Sequence, residues 1–251
     1  MTAEKFFEEL RRRFIAVLDE HDIGDELVQI TCRSMTPEEA IGKTKRQDFP
    51  IITGDDVMIQ AQFRDSFGQA FTDAPTAFEG TLSEVLDMDI VNDAHGRGLF
   101  IAVMNAVMGY LGLCRGNVHC RTEGPEYCAQ DMLGFLRREY PDVKRIALIG
   151  YQPALLDMLS HSEYDVRVLD LNPKNVGEVR YGVKVEDGIK DYDEVVMDYA
   201  DLVLCTGSTA CNGSIVNFID IGKEVVFYGT TFSGGAVLMD QKRSCFAHLY
   251  A

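Results

Sequence analysis

Apolar residues at helical spacing open the chain. They recur along residues 3–20 and predict an amphipathic helix. Residues 26–33 and 57–63 alternate apolar and polar side chains, which is typical of half-buried strands. A turn is predicted at 66–69, with its return strand at 69–72. The first third of the chain is therefore predicted to combine helices with antiparallel strands.

Three further helices are predicted before residue 115. Thr36, followed three residues later by Glu39, has the capping-box pattern that starts a short helix, and Gly42 ends it. Residues 81–88 form a second short helix. Residues 97–113 are apolar around the whole helical circumference, which predicts a long buried helix.

From residue 126 onward, helices alternate with strands. The predicted strands are 144–150, 165–170, 201–205 and 223–229, and the predicted helices are 126–140, 153–159, 194–199 and 234–239. This alternation predicts a parallel sheet covered on both faces, and the right-handed crossover rule makes it Rossmann-like. The fold class is therefore α/β, and the domain boundary is expected within 115–145.

Composition and charge narrow the choice of partners. The 251 residues are 46% apolar and 25% charged, as in globular proteins, and the net charge is −16. The absence of a basic face argues against nucleic acid as a partner. The sequence contains no apolar run of 18 residues, so no membrane span is predicted. No signal-peptide pattern is visible, so a cytoplasmic location is expected. Seven cysteines without a secretory signal favour thiols or metal ligands over disulfides.

Eight small or polar residues, 206–213, follow the third strand of the alternating region. Asn212 or Ser214 is predicted to cap the next helix, whose first N–H groups would attract an anion. Hydroxyl groups at the same point belong to Thr206, Ser208 and Thr209. An ordinary turn between a strand and a helix would have the same composition, so both interpretations stay open.

Gly150 and Asp170 suggest a nucleotide crevice. Gly150 ends the first strand of the alternating region, and Asp170 ends the second, at the spacing of a ribose-binding acid. The glycine-rich fingerprint is absent, because Gly150 is followed by Tyr-Gln-Pro-Ala-Leu. NAD, NADP and S-adenosylmethionine are therefore disfavoured, and an aspartate that simply ends a strand is the simpler explanation.

Soft metal-ligand residues cluster before the alternating region. They are Cys114, His119, Cys120 and Cys128, with Glu123 between them. Thiolates and imidazole suit zinc, copper, nickel or iron–sulfur, but the spacing is not that of a zinc finger. Neighbouring residues in an extended segment point to opposite sides, and cysteine is often buried as a small apolar group. A metal site, buried thiols and a substrate-contacting role stay open.

Two further positions allow a structural or a functional interpretation. Thr72 and Asp73 end a predicted strand and could face a cleft, although threonine and aspartate also favour turns. Asn105 lies within an apolar helix, where a buried amide needs hydrogen-bond partners. It is either a satisfied core residue or part of a site.

Several short motifs together resemble a bacterial and archaeal family labelled "putative heavy-metal chelation". They are Thr36–Gly42, Gly68–Asp73, Asn105-Ala106, Val118–Cys120, Thr206–Thr209, Asn212-Gly213 and Tyr228–Thr231. The resemblance implies an enolase N-terminal-like α+β domain at 1–115 and a Rossmann-like domain at 116–251. It also implies a site in the cleft between the two domains. That site would act in the condensation or hydrolysis of pterin-, flavin- or siderophore-like molecules. The sequence departs from the family at Ala210-Cys211, where bulkier apolar residues are expected.

The resemblance also implies the site residues. The ligand-binding residues would be Thr72, Asp73, Asn105, Gly150, Tyr151, Asp170, Thr206, Gly207, Ser208, Thr209, Asn212, Gly213, Tyr228, Gly229 and Thr230. His119 or Glu123 would move a proton, because histidine titrates near neutral pH and burial can raise the pKa of a glutamate.

The expected ligand is a small anionic or heteroaromatic molecule, with a transition metal as the candidate cofactor. A metal or metal-chelate binder without turnover is the alternative function, and a structural or regulatory module is a third. A homodimer is expected, because enolase-like first domains often pair.

Overall fold

A computed structural model describes residues 1–24, 30–53 and 57–251 of the chain. The helices are α1 (Ala3–Glu20), α2 (Pro37–Ile41), α3 (Pro50–Thr53), α4 (Leu82–Leu86), α5 (Ala94–Tyr110), α6 (Gly124–Glu139), α7 (Pro153–Ser160), α8 (Thr209–Asn212) and α9 (Ser233–Leu238). The strands are β1 (Ile30–Met35), β2 (Val57–Phe63), β3 (Ser66–Thr72), β4 (Phe78–Gly80), β5 (Arg145–Ile149), β6 (Asp165–Asp170), β7 (Val179–Arg180), β8 (Val183–Asp187), β9 (Leu202–Thr206) and β10 (Val225–Tyr228). A π-helix spans Asp193–Tyr199, and 3-10 helices span Ser214–Phe218 and Ala247–Leu249.

The first sheet is antiparallel, with strand order β3-β2-β1-β4. The turn predicted at 66–69 is wrong, because β3 already pairs with β2 from Ser66, opposite Phe63. The chain reverses instead at residues 64–65, where Arg64 adopts a φ of 53°. The strand predicted at 26–33 is seen from Ile30 onward, and its first part lies outside the described residues.

The second sheet has the order β10-β9-β5-β6-β8-β7 and is parallel except for β7, which runs antiparallel to β8. This confirms the α/β class. Strands β7 and β8 were not predicted from the sequence. From β5 the chain passes to β6 on one side and later to β9 on the other. Ligand crevices lie at such a reversal, outside the carboxyl ends of the strands.

Helix α5 is the central element of the core. Every residue from Gly96 to Met108 is buried. One face packs on β2 and β3, and α8 and α9 cover another, so a single apolar core runs from α1 through α5 to Phe227 and Phe232. A Cβ at Gly68 would lie 2.2 Å from the backbone N of Ala106, so only glycine lets β3 approach α5 so closely. The division at residues 115 and 116 stays a prediction.

Capping confirms the starts of the two short N-terminal helices. Thr36 caps α2 and Thr81 caps α4, each by a capping box with the glutamate three residues later. Gly42 ends α2 with a φ of 70°. Among the residues that the structure describes, none of the helices combines the length and the apolar character needed to span a bilayer.

Asn105 on α5 is a satisfied core residue. Its Nδ2 donates to the carbonyl oxygens of Gln69 (3.0 Å), Thr230 (3.3 Å) and Thr231 (2.8 Å). Its Oδ1 accepts the N–H of Gly234 at 2.9 Å. This buried amide therefore joins β3 to the loop after β10 and to the start of α9.

Replacing Asn105 with alanine is expected to lower the free energy of unfolding by about 3 kcal/mol, because several buried backbone groups lose their partner. Urea denaturation measures the change. Asn92→Ala is the matched control, since among the described residues the exposed Asn92 side-chain amide bonds only Asp89, and it should cost well under 1 kcal/mol. We call these four Asn105 hydrogen bonds the clamp. An equal loss of unfolding free energy in both variants would contradict its role in stability.

The starts of β5 and β9 are joined by Asp201. Its carboxylate accepts the N–H of Lys144 (3.2 Å) and of Arg145 (2.9 Å) and pairs with the Arg145 side chain at 2.7 Å. The Arg145 side-chain hydrogen bond lowers the pKa of Asp201 to about 2. Since the folded pKa lies below the unfolded value of about 3.9, the stabilisation is present above that value and is lost as the pH falls toward 2.

Asp201→Asn is therefore expected to destabilise the protein at pH 7, and the deficit relative to the unaltered protein should shrink as the pH falls from about 4 toward 2. Denaturation midpoints across this pH range check the trend. Asp142→Asn, at an exposed position, is the control and should show no such convergence. A deficit that stays constant with pH would mean that the Asp201 charge is not responsible.

Candidate functional site

A cleft of about 1090 Å³ lies at the carboxyl ends of β5, β6, β9 and β10. The end of β3 and the segment Phe49–Ile51 close its other side, so both parts of the chain contribute to it. The predicted ligand-binding residues that line it are Thr72, Asp73, Gly150, Tyr151, Asp170, Thr206, Ser208, Thr209, Asn212, Tyr228, Gly229 and Thr230. Most of the predicted site therefore does converge.

Three predicted ligand-binding residues do not line the cleft. Asn105 is buried, and its amide is already used in the clamp. A Cβ at Gly207 would lie 2.7 Å from the backbone N of Phe232, so this glycine serves close packing of the turn. Gly213, with a φ of 82°, faces the guanidinium of Arg97 instead. We assign all three to packing.

The turn after β9 has a different structure from the predicted helix cap. Helix α8 already begins at Thr209, so capping by Asn212 or Ser214 is wrong. Asn212 Oδ1 instead accepts the N–H of Ser214 at 2.9 Å. The N–H of Gly207 donates to the Tyr228 carbonyl (2.8 Å), and the N–H of Ser208 donates to Thr206 Oγ1 (3.3 Å). With these amides in use, the turn contributes mainly hydroxyl groups to the cleft.

Asp170 organises the floor of the cleft. Its carboxylate accepts the N–H of Tyr151 and that of Asn172, both at 2.7 Å. Each oxygen therefore already holds one strand-end loop in place. This arrangement favours the simpler interpretation, in which the aspartate ends a strand, over a ribose contact.

His119 is half-buried on the cleft wall, with its tautomer set by its neighbour. Its Nδ1 lies 2.6 Å from the carbonyl oxygen of Cys120. Since a carbonyl can only accept, Nδ1 carries the proton and Nε2 keeps a lone pair. Burial lowers the pKa of His119, which favours the neutral ring. A neutral imidazole with a lone pair on Nε2 can accept a proton or bind a metal ion.

Glu123 does not share the cleft with His119. Its side chain is 42% exposed, pairs with Lys45 and accepts from Tyr127 Oη at 3.3 Å. The expectation that burial raises its pKa is wrong, because the hydrogen bond from Lys45 lowers the pKa of Glu123. A carboxylate on the outer surface at the start of α6 has no route to a ligand in the cleft.

The predicted metal set is only partly brought together. Cys120 and Cys128 line the cleft with His119, but Cys114 lines a separate cavity of about 410 Å³. Cys245, which the sequence did not single out, lines both the cleft and the cavity that contains Cys114. As the side chains stand, no three histidine, cysteine, aspartate or glutamate residues within the described ranges are arranged around one ion.

We call Cys120, Cys128 and Cys245 the thiol cluster. Cys128 lies close enough to both other members for their thiols to affect its pKa. The contact with Cys120 is the main reason that the pKa of Cys128 is raised to about 12, and the contact with Cys128 raises that of Cys245. At neutral pH the thiols of Cys128 and Cys245 are therefore protonated.

The charge of the cleft is one-sided. The carboxylates of Asp73, Asp170 and Asp193 line it, and of the described residues no lysine or arginine does. Arg180 lies over the ring of Tyr151, 5.9 Å from its centroid, without lining the cavity. An anionic ligand would therefore enter a field of its own sign, which opposes that part of the sequence-based expectation.

An apolar wall lines the cleft, and it was not predicted from the sequence. Its members are Ile41, Phe49, Phe71 and Leu155. Arg46 fixes this wall, because it pairs with Glu126 at 2.9 Å and with Asp157 at 2.7 Å, which anchors the segment before Phe49 on α6 and α7. The segment has no periodic pattern, so only these long-range pairs reveal its position.

Comparisons with known proteins agree with the fold. Residues 135–240 match the model of the DUF364 family, described as "Putative heavy-metal chelation", which confirms the resemblance. A DUF364 protein of unknown function from Pyrococcus horikoshii superposes with a TM-score of 0.51 and 16% identity, over 90% of this chain and 79% of the other. For one from Desulfitobacterium hafniense, the TM-score is 0.47, with 12% identity over 73% and 71%. No curated protein matches the chain.

Gly150 and Gly229 offer a matched test of the cleft floor. Both have a φ near 85°, but a Cβ at Gly150 would lie 2.7 Å from Thr206 Cγ2, whereas one at Gly229 meets nothing within 4 Å. Gly150→Ala is expected to lose about 1–3 kcal/mol more of the free energy of unfolding than Gly229→Ala, because only the first adds a clash to the backbone strain. Urea denaturation of both variants measures this difference. Equal losses of unfolding free energy would contradict the close contact between Gly150 and Thr206.

Proposed function

We propose that this chain, whose residues 135–240 match the heavy-metal chelation family, binds a flat, neutral or positively charged small molecule in the cleft. One observation carries the proposal: a cavity of about 1090 Å³ joins an apolar wall to carboxylates, and no lysine or arginine of the described chain lines it. Small-molecule sites combine an apolar lining with a few polar groups in this way.

The polar groups that support recognition come from the end of β3 and from the loop after β10. Asp73, at the end of β3, carries an exposed carboxylate. In the loop after β10, the buried Oγ1 of Thr230 has no hydrogen-bond partner within the described part of the chain. A buried hydroxyl without a partner costs free energy, and a ligand with a ring nitrogen or carbonyl would satisfy it.

The proposed ligand class is therefore narrower than the one expected from sequence. Neutral pterin- or flavin-like rings fit an apolar wall with hydrogen-bonding edges. Metal chelates also fit when the cation offsets the charge of the chelator. Free anions do not, since the three lining carboxylates repel them. Residence in the cytoplasm and a homodimer stay predictions.

Condensation or hydrolysis of the bound molecule is a second candidate function, favoured by His119 alone. Its Nε2 lone pair can take a proton from a ligand, whereas Glu123 lies outside the cleft. If the protein is an enzyme, His119→Ala should abolish turnover and leave binding largely intact.

Riboflavin and its phosphate, FMN, test the proposal because they share one ring and differ in charge. Riboflavin is expected to bind about tenfold more tightly than FMN, since unit charges about 10 Å apart at an effective dielectric constant near 20 interact by about 1–2 kcal/mol. Quenching of flavin fluorescence measures both affinities.

Asp73→Asn should reduce this preference for riboflavin, whereas Asp19→Asn, which removes the same charge from an exposed site on α1, should not. A preference for FMN, or an identical change in both variants, would overturn the charge argument. If neither flavin binds but a cationic dye of similar ring size does, the proposal of a flavin-like ring is wrong. The proposed preference for positive over negative charge would then still hold.

A further inference from the structure

The cavity of about 410 Å³ that contains Cys114, here called the second cavity, carries the opposite charge to the cleft. Arg115, Arg243 and His248 line it, and among the described residues no aspartate or glutamate does. Within the same part of the chain, Cys245 alone lines both the second cavity and the cleft. In a chain with a net charge of −16, this concentration of basic side chains creates a local field that favours an anion.

Arg243 is held at the second cavity without a negatively charged partner. Its Nε donates to the carbonyl of Gly229 (2.9 Å), and its two Nη atoms donate to the carbonyls of Arg115 (3.0 Å) and Gly116 (2.8 Å). A guanidinium group has five N–H groups, so one remains on each Nη. No carboxylate among the described residues pairs with this half-buried charge, and a buried charge without a counter-charge costs free energy.

Arg115 adds a second positive charge to the same cavity. Its carbonyl accepts from Arg243, but its guanidinium makes no hydrogen bond or ion pair with the described residues. Two guanidinium groups that line one cavity repel each other, because their charges have the same sign. An anion bound between them would replace this repulsion with an attraction to both groups.

Ser233 supplies an unsatisfied hydroxyl group to the second cavity. The residue is 1% exposed, and its Oγ has no hydrogen-bond partner within the described part of the chain. Burial raises the pKa of the Cys114 thiol, and Ser233 lies near enough to oppose that rise, but the two side chains are not hydrogen-bonded. A buried hydroxyl without a partner costs free energy, and an acceptor oxygen of a ligand would satisfy it.

We propose that the second cavity binds a phosphoryl group between Arg115, Arg243 and Ser233. Arginine donors match the oxygens of phosphate in pairs, and a phosphoryl group offers more acceptor oxygens to these donors than a carboxylate does. The exposed ring of His248 can donate a further hydrogen bond. The cavity volume of about 410 Å³ lies at the small end of ligand sites, which suits free phosphate or a small phosphate monoester.

Calorimetric titration with inorganic phosphate tests the site, at constant ionic strength so that screening does not change. The unaltered protein should bind one phosphate per chain. Arg115→Gln and Ser233→Ala should each weaken binding at least about tenfold, because each removes a hydrogen bond to a charged group. Arg121→Gln is the matched control and should bind phosphate like the unaltered protein, since this exposed arginine lines neither cavity.

Three results would overturn the proposal: no saturable phosphate binding, an equal loss of affinity in Arg121→Gln, or an unchanged affinity in Ser233→Ala. Urea denaturation separates binding from folding. Without phosphate, Ser233→Ala should be at least as stable as the unaltered protein, because its hydroxyl has no hydrogen bond to lose. Phosphate should raise the midpoint of the unaltered protein more than that of the variant, and an equal rise would contradict the site.

Phenyl phosphate distinguishes the two sources of a phosphoryl group. If it binds more tightly than inorganic phosphate, the site holds the end of an organic phosphate, and the reverse order assigns the site to the free ion. Arg115→Gln should bind riboflavin like the unaltered protein, so this site and the ligand cleft can fail independently. A riboflavin affinity that falls as far as the phosphate affinity would contradict a separate site.

Discussion

The packing of α5 between the two parts of the protein determines the geometry of the cleft. One face of the helix lies on β2 and β3, and α8 and α9 cover another. Asn105 ties these contacts together, because its amide binds the carbonyls of Gln69 on one side and of Thr230 and Thr231 on the other. The buried Asn105 amide therefore helps to set the distance between β3 and the loop after β10.

The Asn105 contact explains why cleft residues far apart in the sequence act together. Gln69 lies next to the clamp, and its side chain accepts the N–H of His119 at 2.7 Å. Thr231, on the other side, accepts the N–H of Phe71 at 3.0 Å through its Oγ1. One connected set of hydrogen bonds thus positions the His119 backbone, Phe71 of the apolar wall and the loop after β10. Such a connected set favours a pre-formed cleft.

Local patterns in the sequence predicted the elements well where periodicity and capping agree. Helix α1 and strands β2 and β6 occupy the residues expected, and Thr36 caps α2 as its motif indicates. The errors lie where long-range contacts decide the structure. The turn after β9 uses its amides within the fold, and the pairing of Glu123 with Lys45 brings together residues 78 positions apart, which no local pattern reports.

The cysteines show why spacing alone could not identify which thiols lie together. Cys114 and Cys120 are close in the sequence, yet they line different cavities, because the chain passes from the end of α5 across the end of β3 between them. Cys245 is more than a hundred residues from Cys128, and long-range contacts such as the bridge between Phe227 and Arg243 position its segment. The chemistry of the cleft therefore depends on how the C-terminal segment docks, and a set of thiols inferred from the sequence between residues 114 and 128 is necessarily incomplete.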